Sequence, residues 1–209
     1  WRQTQYAKRT YREAKQVNMT IGRFQPFTKG HLQMCKDGYE KNNLPCVIMM
    51  IENKKYDEKH PFSDKLMKKE IELIKMRYKF IEDVIPVKSA DIVKAGQALY
   101  DSGYEPQLWL CGDDRVAQYD RMISKEQYRI DGHLPESFAT YTGKGRTEGV
   151  SGTAAREALK NDDLQAFKRI MPEGTDRLFN DMRDELLNVV KEGYTSLSDF
   201  LKENLNKKL

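Results

Sequence analysis

Cysteine is scarce in this chain and poorly arranged for cross-linking. Cys35, Cys46 and Cys111 are odd in number and form no Cys-x-x-Cys pair, which argues against a disulfide framework or a cysteine-held zinc site. A reducing, cytoplasm-like compartment is the expectation. Histidine is sparse as well: besides His31 there are only His60 and His133, in polar loops without metal-ligand spacing. No metal held by the protein alone is expected. A run of about 18 apolar residues is missing, so no transmembrane helix is expected. The chain opens on Trp1 rather than Met, which leaves its true start undefined. Trp1 to Lys15 are polar and basic, with no apolar core before a cleavage site, so no secretory leader is expected there. A strong charge of either sign is absent too. The formal net charge of +4 does not argue for nucleic acid as a partner, and it suits a protein that handles phosphates. There is no internal repeat and no low-complexity segment.

What is present is an alternation of strand and helix signals over 209 residues, enough for one sizeable α/β domain. Val17 to Gly22 is a short apolar-leaning run ending in glycine, and Lys29 to Lys41 reads as a helix. Cys46 to Ile51 is six apolar residues in a row, the pattern of a strand buried on both faces. Met67, Ile71, Ile74 and Tyr78 recur at helical spacing behind a Ser63 cap. Val84 to Val87, Leu108 to Gly112 and the weaker Phe138 to Thr142 read as further strands. Ile92, Ala95 and Leu99, stopped by Gly103, and Val116 to Ile123 read as the helices between them. This rhythm implies a Rossmann-like parallel sheet with helices on both faces. From Ser151 the strand signals stop. Three apolar stripes, at Leu164/Phe167, at Phe179/Met182/Leu186/Val190 and at Leu197/Phe200/Leu201, imply a C-terminal helical layer. The expected organisation is a basic N-terminal extension at 1–16, an α/β domain at 17–160 and helices at 161–209 packed on it, with Pro172-Glu173-Gly174 as a hinge.

The most informative segment is Gly22-Arg23-Phe24-Gln25-Pro26-Phe27-Thr28-Lys29-Gly30-His31, between the first strand and its helix. In doubly wound folds the carboxyl end of a strand is where nucleotides bind. Gly22 and Gly30 let backbone approach phosphate, the helix start offers unpaired N–H groups, and Arg23, Lys29 and His31 add positive donors. Taken alone, Gly22 reads better as a turn glycine and His31 as an exposed histidine. The ten residues together, in this place, point to phosphate.

This segment closely resembles the GRFQPFHxGH signature of the nucleotidyltransferase superfamily, especially the nicotinamide-mononucleotide adenylyltransferases of archaeal type. The general form is (H/T)xGH, and here it is Thr28-Lys29-Gly30-His31. Pantetheine-phosphate adenylyltransferases also carry threonine there, which loosens the choice of acceptor. The resemblance implies that Thr28 and His31 contact the nucleotide's phosphates and stabilise the transition state, with Arg23 holding the triphosphate or the acceptor phosphate. Phe24, Gln25, Gly22 and Gly30 would complete the nucleotide site.

A second motif lies far along the chain. Val150-Ser151-Gly152-Thr153-Ala154-Ala155-Arg156 opens a helix behind the loop Gly143-Lys144-Gly145-Arg146. It is similar to the ISxTxxR or SGTxxR motif of the same superfamily. The Ser151 and Thr153 hydroxyls and the first N–H groups suit β/γ-phosphates, and Arg156 suits a departing pyrophosphate. The plain alternative is a capping serine before an ordinary helix with a surface arginine. Asp113 and Arg115 follow the fourth strand at the same sheet edge. They read as contacts to a base amino group or ribose hydroxyl and to a phosphate, or as a helix cap. Arg121 to Lys125 loosely resembles the KMSKS loop of class I aminoacyl-tRNA synthetases, but its position favours a solvated helix end. The charged run Asn53 to Lys59 reads as a solvated loop placed to touch an acceptor.

The reaction implied is in-line attack of an acceptor phosphate on the α-phosphorus of ATP or CTP, with Mg²⁺ accompanying the triphosphate. Catalysis is then positioning and electrostatics by Thr28, Lys29, His31 and Arg156. Three readings stay open: an adenylyltransferase with nicotinamide mononucleotide as favoured acceptor; a cytidylyltransferase acting on a small alcohol or sugar phosphate; and a non-catalytic nucleotide-binding or assembly protein. Homo-oligomerisation and a protein partner for the basic segment are left open. No membrane or nucleic-acid partner is expected.

Overall fold

The computed structural model describes residues 14–144 and 148–206, with backbone alone from 194 onward. Most of the basic N-terminal segment, Gly145 and Arg146 of the glycine-rich loop, and the side chains of the Leu197/Phe200/Leu201 stripe lie outside the described residues. The elements in chain order are β1 (Lys15–Gly22), α1 (Lys29–Asn42), β2 (Cys46–Ile51), α2 (Asp64–Arg77), β3 (Ile81–Val87), α3 (Ile92–Asp101) and β4 (Tyr104–Leu110). There follow α4 (Val116–Ile123), α5 (Glu126–Asp131), β5 (Ala139–Tyr141), α6 (Gly152–Lys160), α7 (Leu164–Ile170), a 3₁₀ turn (Asp176–Leu178) and α8 (Phe179–Asn206).

Among the described residues the strands form one parallel sheet in the order β3-β2-β1-β4-β5. The chain winds outward from β1 on one side and then, from β4, on the other. The change of direction falls between β1 and β4, which opens a crevice at their carboxyl ends. The two-sided burial follows from strand periodicity. In β2, Cys46, Ile48 and Met50 face one core with α1, α2 and the C-terminal helices, while Val47 and Met49 face the other with α3 and α4. Phe167, Phe179, Met182 and Leu186 join the first core. The C-terminal helices are therefore a layer on that face of the sheet.

Local chemistry sets the helix starts. Ser63, Asp91, Ser151 and Asp163 each accept a backbone N–H of the first turn, at 3.2 Å or less for Ser63 and Ser151. Ser124 ends α4, so Arg121 to Lys125 is a helix end.

Some boundaries differ from the sequence reading. β1 begins at Lys15, whose N–H bonds to the Gly103 carbonyl and whose ammonium pairs with Glu82 at 2.6 Å. β4 begins at Tyr104, before its apolar run, because pairing with β1 extends past the hydrophobic stretch. α5 was not expected: none of its residues is buried, so it has no apolar stripe to read. The last two apolar stripes lie on a single helix, α8. The lone Gly193 between them costs about 1 kcal/mol relative to alanine, too little to break a long helix.

Candidate active site

The turn after β1 is built from the chain's own neighbours and from α2. Phe24 adopts φ +50°, the left-handed region, and its ring folds back on Gly22. A Cβ at Gly22 would lie 2.9 Å from that ring, so glycine leaves the space the aromatic needs. The Gln25 amide donates to the Phe62 carbonyl at 3.2 Å and accepts the Phe62 N–H at 2.9 Å. This two-point bond ties the turn to the segment before α2. The Phe27 N–H donates to Glu70 Oε2 at 3.2 Å. Glu70 is fully buried, its Oε1 has no hydrogen-bond partner, and burial pushes the carboxyl well above the usual carboxylate range.

Thr28 caps α1, and with His31 it forms a capping box. The Thr28 N–H donates to His31 Nδ1 at 3.0 Å, and Thr28 Oγ1 lies 3.1 Å from the same atom. A backbone N–H can only donate, so Nδ1 is the acceptor and the neutral ring carries its proton on Nε2. The rings of Phe24, edge-on at 5.2 Å, and Phe27, tilted at 5.3 Å, hold the imidazole from the sides. The arrangement orients a fixed N–H donor.

The second motif arrives from β5. Ser151 accepts the Ala154 N–H at 3.0 Å and caps α6. Arg156 Nη1 donates to the Gln25 carbonyl at 2.5 Å and Nη2 to Thr153 Oγ1 at 3.2 Å. Gly152 sits in this junction: a Cβ there would be 3.0 Å from the Gln25 carbonyl oxygen. Arg156 thus bonds directly to a residue 131 positions earlier and joins the two motifs. Its burial lowers the guanidinium from its ordinary value, with the charges of Glu157 and Asp57 opposing.

Between the motifs lies a cavity of about 560 Å³ at the carboxyl ends of β1 and β4. Gly22, Arg23, Phe24, Thr28, Gly30 and His31 line one side of it, and Ser151 and Gly152 another. Asp113 and Arg115, both exposed, line the β4 side; neither side chain caps α4. Gln25, Thr153 and Arg156 stand behind the wall. Lys29 is directed elsewhere: its ammonium donates to the Lys168 and Arg169 carbonyls, each at 2.9 Å, at the end of α7. Arg23 is held at the rim, with Nη1 at 3.2 Å from His60 Nε2, while His60 Nδ1 lies 3.1 Å from Asp57. The charged loop after β2 therefore reaches the cavity through Arg23.

Several lining residues escaped the sequence reading as site residues, Tyr119, Cys111 and Asp37 among them. Tyr119 stacks on buried Trp109 at 3.8 Å, which fixes its ring. Cys111 is pushed up to about 11, by burial and then by the charges of Asp120, Asp114 and Asp113, which leaves a thiol rather than a nucleophilic thiolate at neutral pH. Asp37 faces the cavity from α1. No helical spacing ties it to His31, since six residues along α1 turn about 120° away, and a carboxylate in a polar helix carries no sign of burial.

A family profile described as cytidylyltransferase-like matches residues 19–158, from β1 into α6. The chain belongs to the cytidylyltransferase-like family. No curated protein matches the chain closely enough to count as a relative. Among solved structures the fold is similar to a bifunctional NMN adenylyltransferase/ADP ribose pyrophosphatase from Francisella tularensis. That likeness has 17% identity and a TM-score of 0.63, over 91% of this chain and 57% of that one. The same Francisella protein complexed with AMP and a Mn ion matches at 16% identity and a TM-score of 0.53, over 92% of this chain and 56% of that one. Plasmodium falciparum nicotinic acid mononucleotide adenylyltransferase complexed with NaAD matches at 12% identity and a TM-score of 0.52, over 83% of this chain and 95% of that one. The chain spans little more than half the length of the Francisella protein. These likenesses show a shared fold: an α/β Rossmann-like sheet with helices on both faces.

Among the described residues no cluster of His, Cys, Asp and Glu could hold a metal.

Proposed function

We propose that this protein is a nucleotidyltransferase that moves a nucleoside monophosphate from a triphosphate to a phosphorylated acceptor and releases pyrophosphate. ATP is the favoured donor and nicotinamide mononucleotide the favoured acceptor. The observation that carries this reading is the meeting of two distant segments, the Thr28–His31 helix start and the Ser151 helix start, on one cavity at the strand switch point. Two helix N-termini facing one space favour an anion of several charges.

The acceptor is ionised before it binds, so the protein needs no general base. Its contribution is alignment and charge. His31, kept as the Nε2–H tautomer by the Thr28 N–H, donates to phosphate oxygens whose charge grows in the transition state. The Thr28 hydroxyl and the N–H groups at Gly30 and Gly152 add neutral donors. Arg23 takes an acceptor or donor phosphate at the rim, and Arg156, bonded beside the cavity to the Gln25 carbonyl and Thr153, is assigned to exchange those bonds for the leaving pyrophosphate. Asp113 and Arg115 are assigned to the base or ribose and to a phosphate. We assign Lys29 the fastening of α1 to α7, which keeps the first turn of α1 in place. Mg²⁺, bound with the triphosphate, would supply further charge neutralisation.

The family description favours a second reading with CTP as donor and a small alcohol or sugar phosphate as acceptor. Pyrophosphate release, measured with ATP and CTP against a panel of mononucleotide, pantetheine, glycerol and sugar phosphates, decides between them. Release only with ATP and a mononucleotide is the expected result. Nucleotide binding without release under any pair would support a non-catalytic binding protein.

A further inference from the structure

We infer that Asp37 is a positioning residue that fastens the loop between β5 and α6 to α1, setting the spacing of the two halves of the polyphosphate site. The inference rests on the nucleotidyl-transfer reading above. Asp37 lies in the middle of α1 and is only 4% exposed. A carboxylate so placed contributes nothing to helix start or solubility, and it must be compensated by donors. Both oxygens are. Oδ1 accepts from the Gln33 amide at 2.7 Å, one turn earlier, and Oδ2 accepts the Lys144 N–H at 2.8 Å, from a residue 107 positions away.

The neighbouring Gly143 is shaped to the same carboxylate. A Cβ at Gly143 would stand 2.0 Å from Asp37 Oδ2, so any side chain there would push the loop off its anchor. Both Asp37 and Gly143 line the cavity. The bond joins a side-chain carboxyl oxygen to a backbone donor at 2.8 Å. It also joins particular elements. α1 carries Thr28 and His31 in its first turn, and the tethered loop leads to Ser151 and Gly152. Releasing the tether leaves the chain between Tyr141 and Ser151 without this anchor. The site then loses affinity for a ligand that needs both halves, and loses less for one that needs a single half.

The test is calorimetric titration of the parent, Asp37→Ala, Asp37→Asn and Gly143→Ala with the triphosphate the parent binds, ATP or CTP, and with its monophosphate. Thermal unfolding is measured alongside. Asp37→Ala and Gly143→Ala should bind triphosphate about tenfold more weakly while monophosphate binding changes by about twofold or less. Asp37→Asn should stay within about threefold of the parent, since an amide oxygen still accepts the Lys144 N–H and the Gln33 amide can turn to match. Parent-like triphosphate binding by Asp37→Ala overturns the inference. So does equal weakening of triphosphate and monophosphate in Asp37→Ala and Asp37→Asn alike, which would mark a merely structural carboxylate. Should Asp37→Ala not fold, Gly143→Ala carries the test, and parent-like binding there overturns the inference as well. A parent that binds neither nucleotide would overturn the transfer reading itself, and this inference with it.

Discussion

The two halves of the candidate site are built differently. The β1–α1 turn is wired from beneath and from the side: Gln25 to Phe62, Phe27 to Glu70, Thr28 to His31, with Phe24 and Phe27 buried around the imidazole. Among the described residues of the β5–α6 segment, the polar links to it include Arg156 to the Gln25 carbonyl and Asp37 to the Lys144 N–H. One half is thus pinned by several polar bonds close to the imidazole, while the other, packed on the same core through Ala155, Ala158 and Leu159, meets it through the Arg156 and Asp37 tethers.

The largest expected effect is on the pinned side. His31→Ala should lower turnover by about 10²-fold, with nucleotide affinity falling less, because an oriented donor acts mainly as charge develops. Steady-state kinetics beside direct nucleotide titration measure both quantities. Turnover within a factor of a few would remove His31 from the chemistry.

On the tethered side, Arg156→Lys should reduce the forward rate by about tenfold or more, because an ammonium cannot replace a planar two-point contact. Triphosphate should bind more weakly and the monophosphate nearly as before. Equal loss for both ligands would place Arg156 elsewhere in the site. A change in neither, with stability within about 0.5 kcal/mol of the parent, would make it an ordinary surface residue.

Stability should separate the halves as well. Gln25→Ala leaves the buried Phe62 N–H without its acceptor, while the Phe62 carbonyl keeps the Asn53 amide at 3.0 Å, and should cost about 2 kcal/mol. Ser151→Ala removes one helix cap and should cost about 1 kcal/mol. Denaturant unfolding of both variants checks the ranking, and equal costs would erase the contrast drawn above.

A pH dependence, read as a slope rather than as a single cost, concerns Glu70. Its folded-state carboxyl is raised by burial, so above the ordinary value of 4.5 the unfolded chain releases a proton that the folded chain keeps. The stability it contributes is fully present below that value and is lost as pH rises toward the raised folded value, by about 1.4 kcal/mol per unit. Glu70→Gln should remove this slope. Unfolding free energies of parent and variant at several pH values above 4.5 test it, and parallel curves would mean the carboxyl titrates normally.

How much of this was legible in the chain depends on the range of the interactions. The strand, turn and helix around Thr28 and His31 are local. Their capping box spans three residues, so the residue types and spacing declare it. The Ser151 cap is local for the same reason. Lys29 shows the limit: its place in the motif suggested phosphate, while its long stem reaches the end of α7, 139 residues away. α5 was missed because an exposed helix carries no apolar period.

The sequence by itself determined the alternation of strands and helices, since burial on two faces writes a period into each element, and it determined the two helix starts that line the cavity, since caps are made by near neighbours. Only the tertiary structure decided that these starts share one cavity, that Arg156 reaches Gln25, and that Glu70 and Asp37 hold the backbone from beneath. Those bonds join residues 43 to 131 positions apart. A carboxylate in a polar helix reads the same on paper whether it meets water or a distant N–H, and the sheet's winding brings the partner to it.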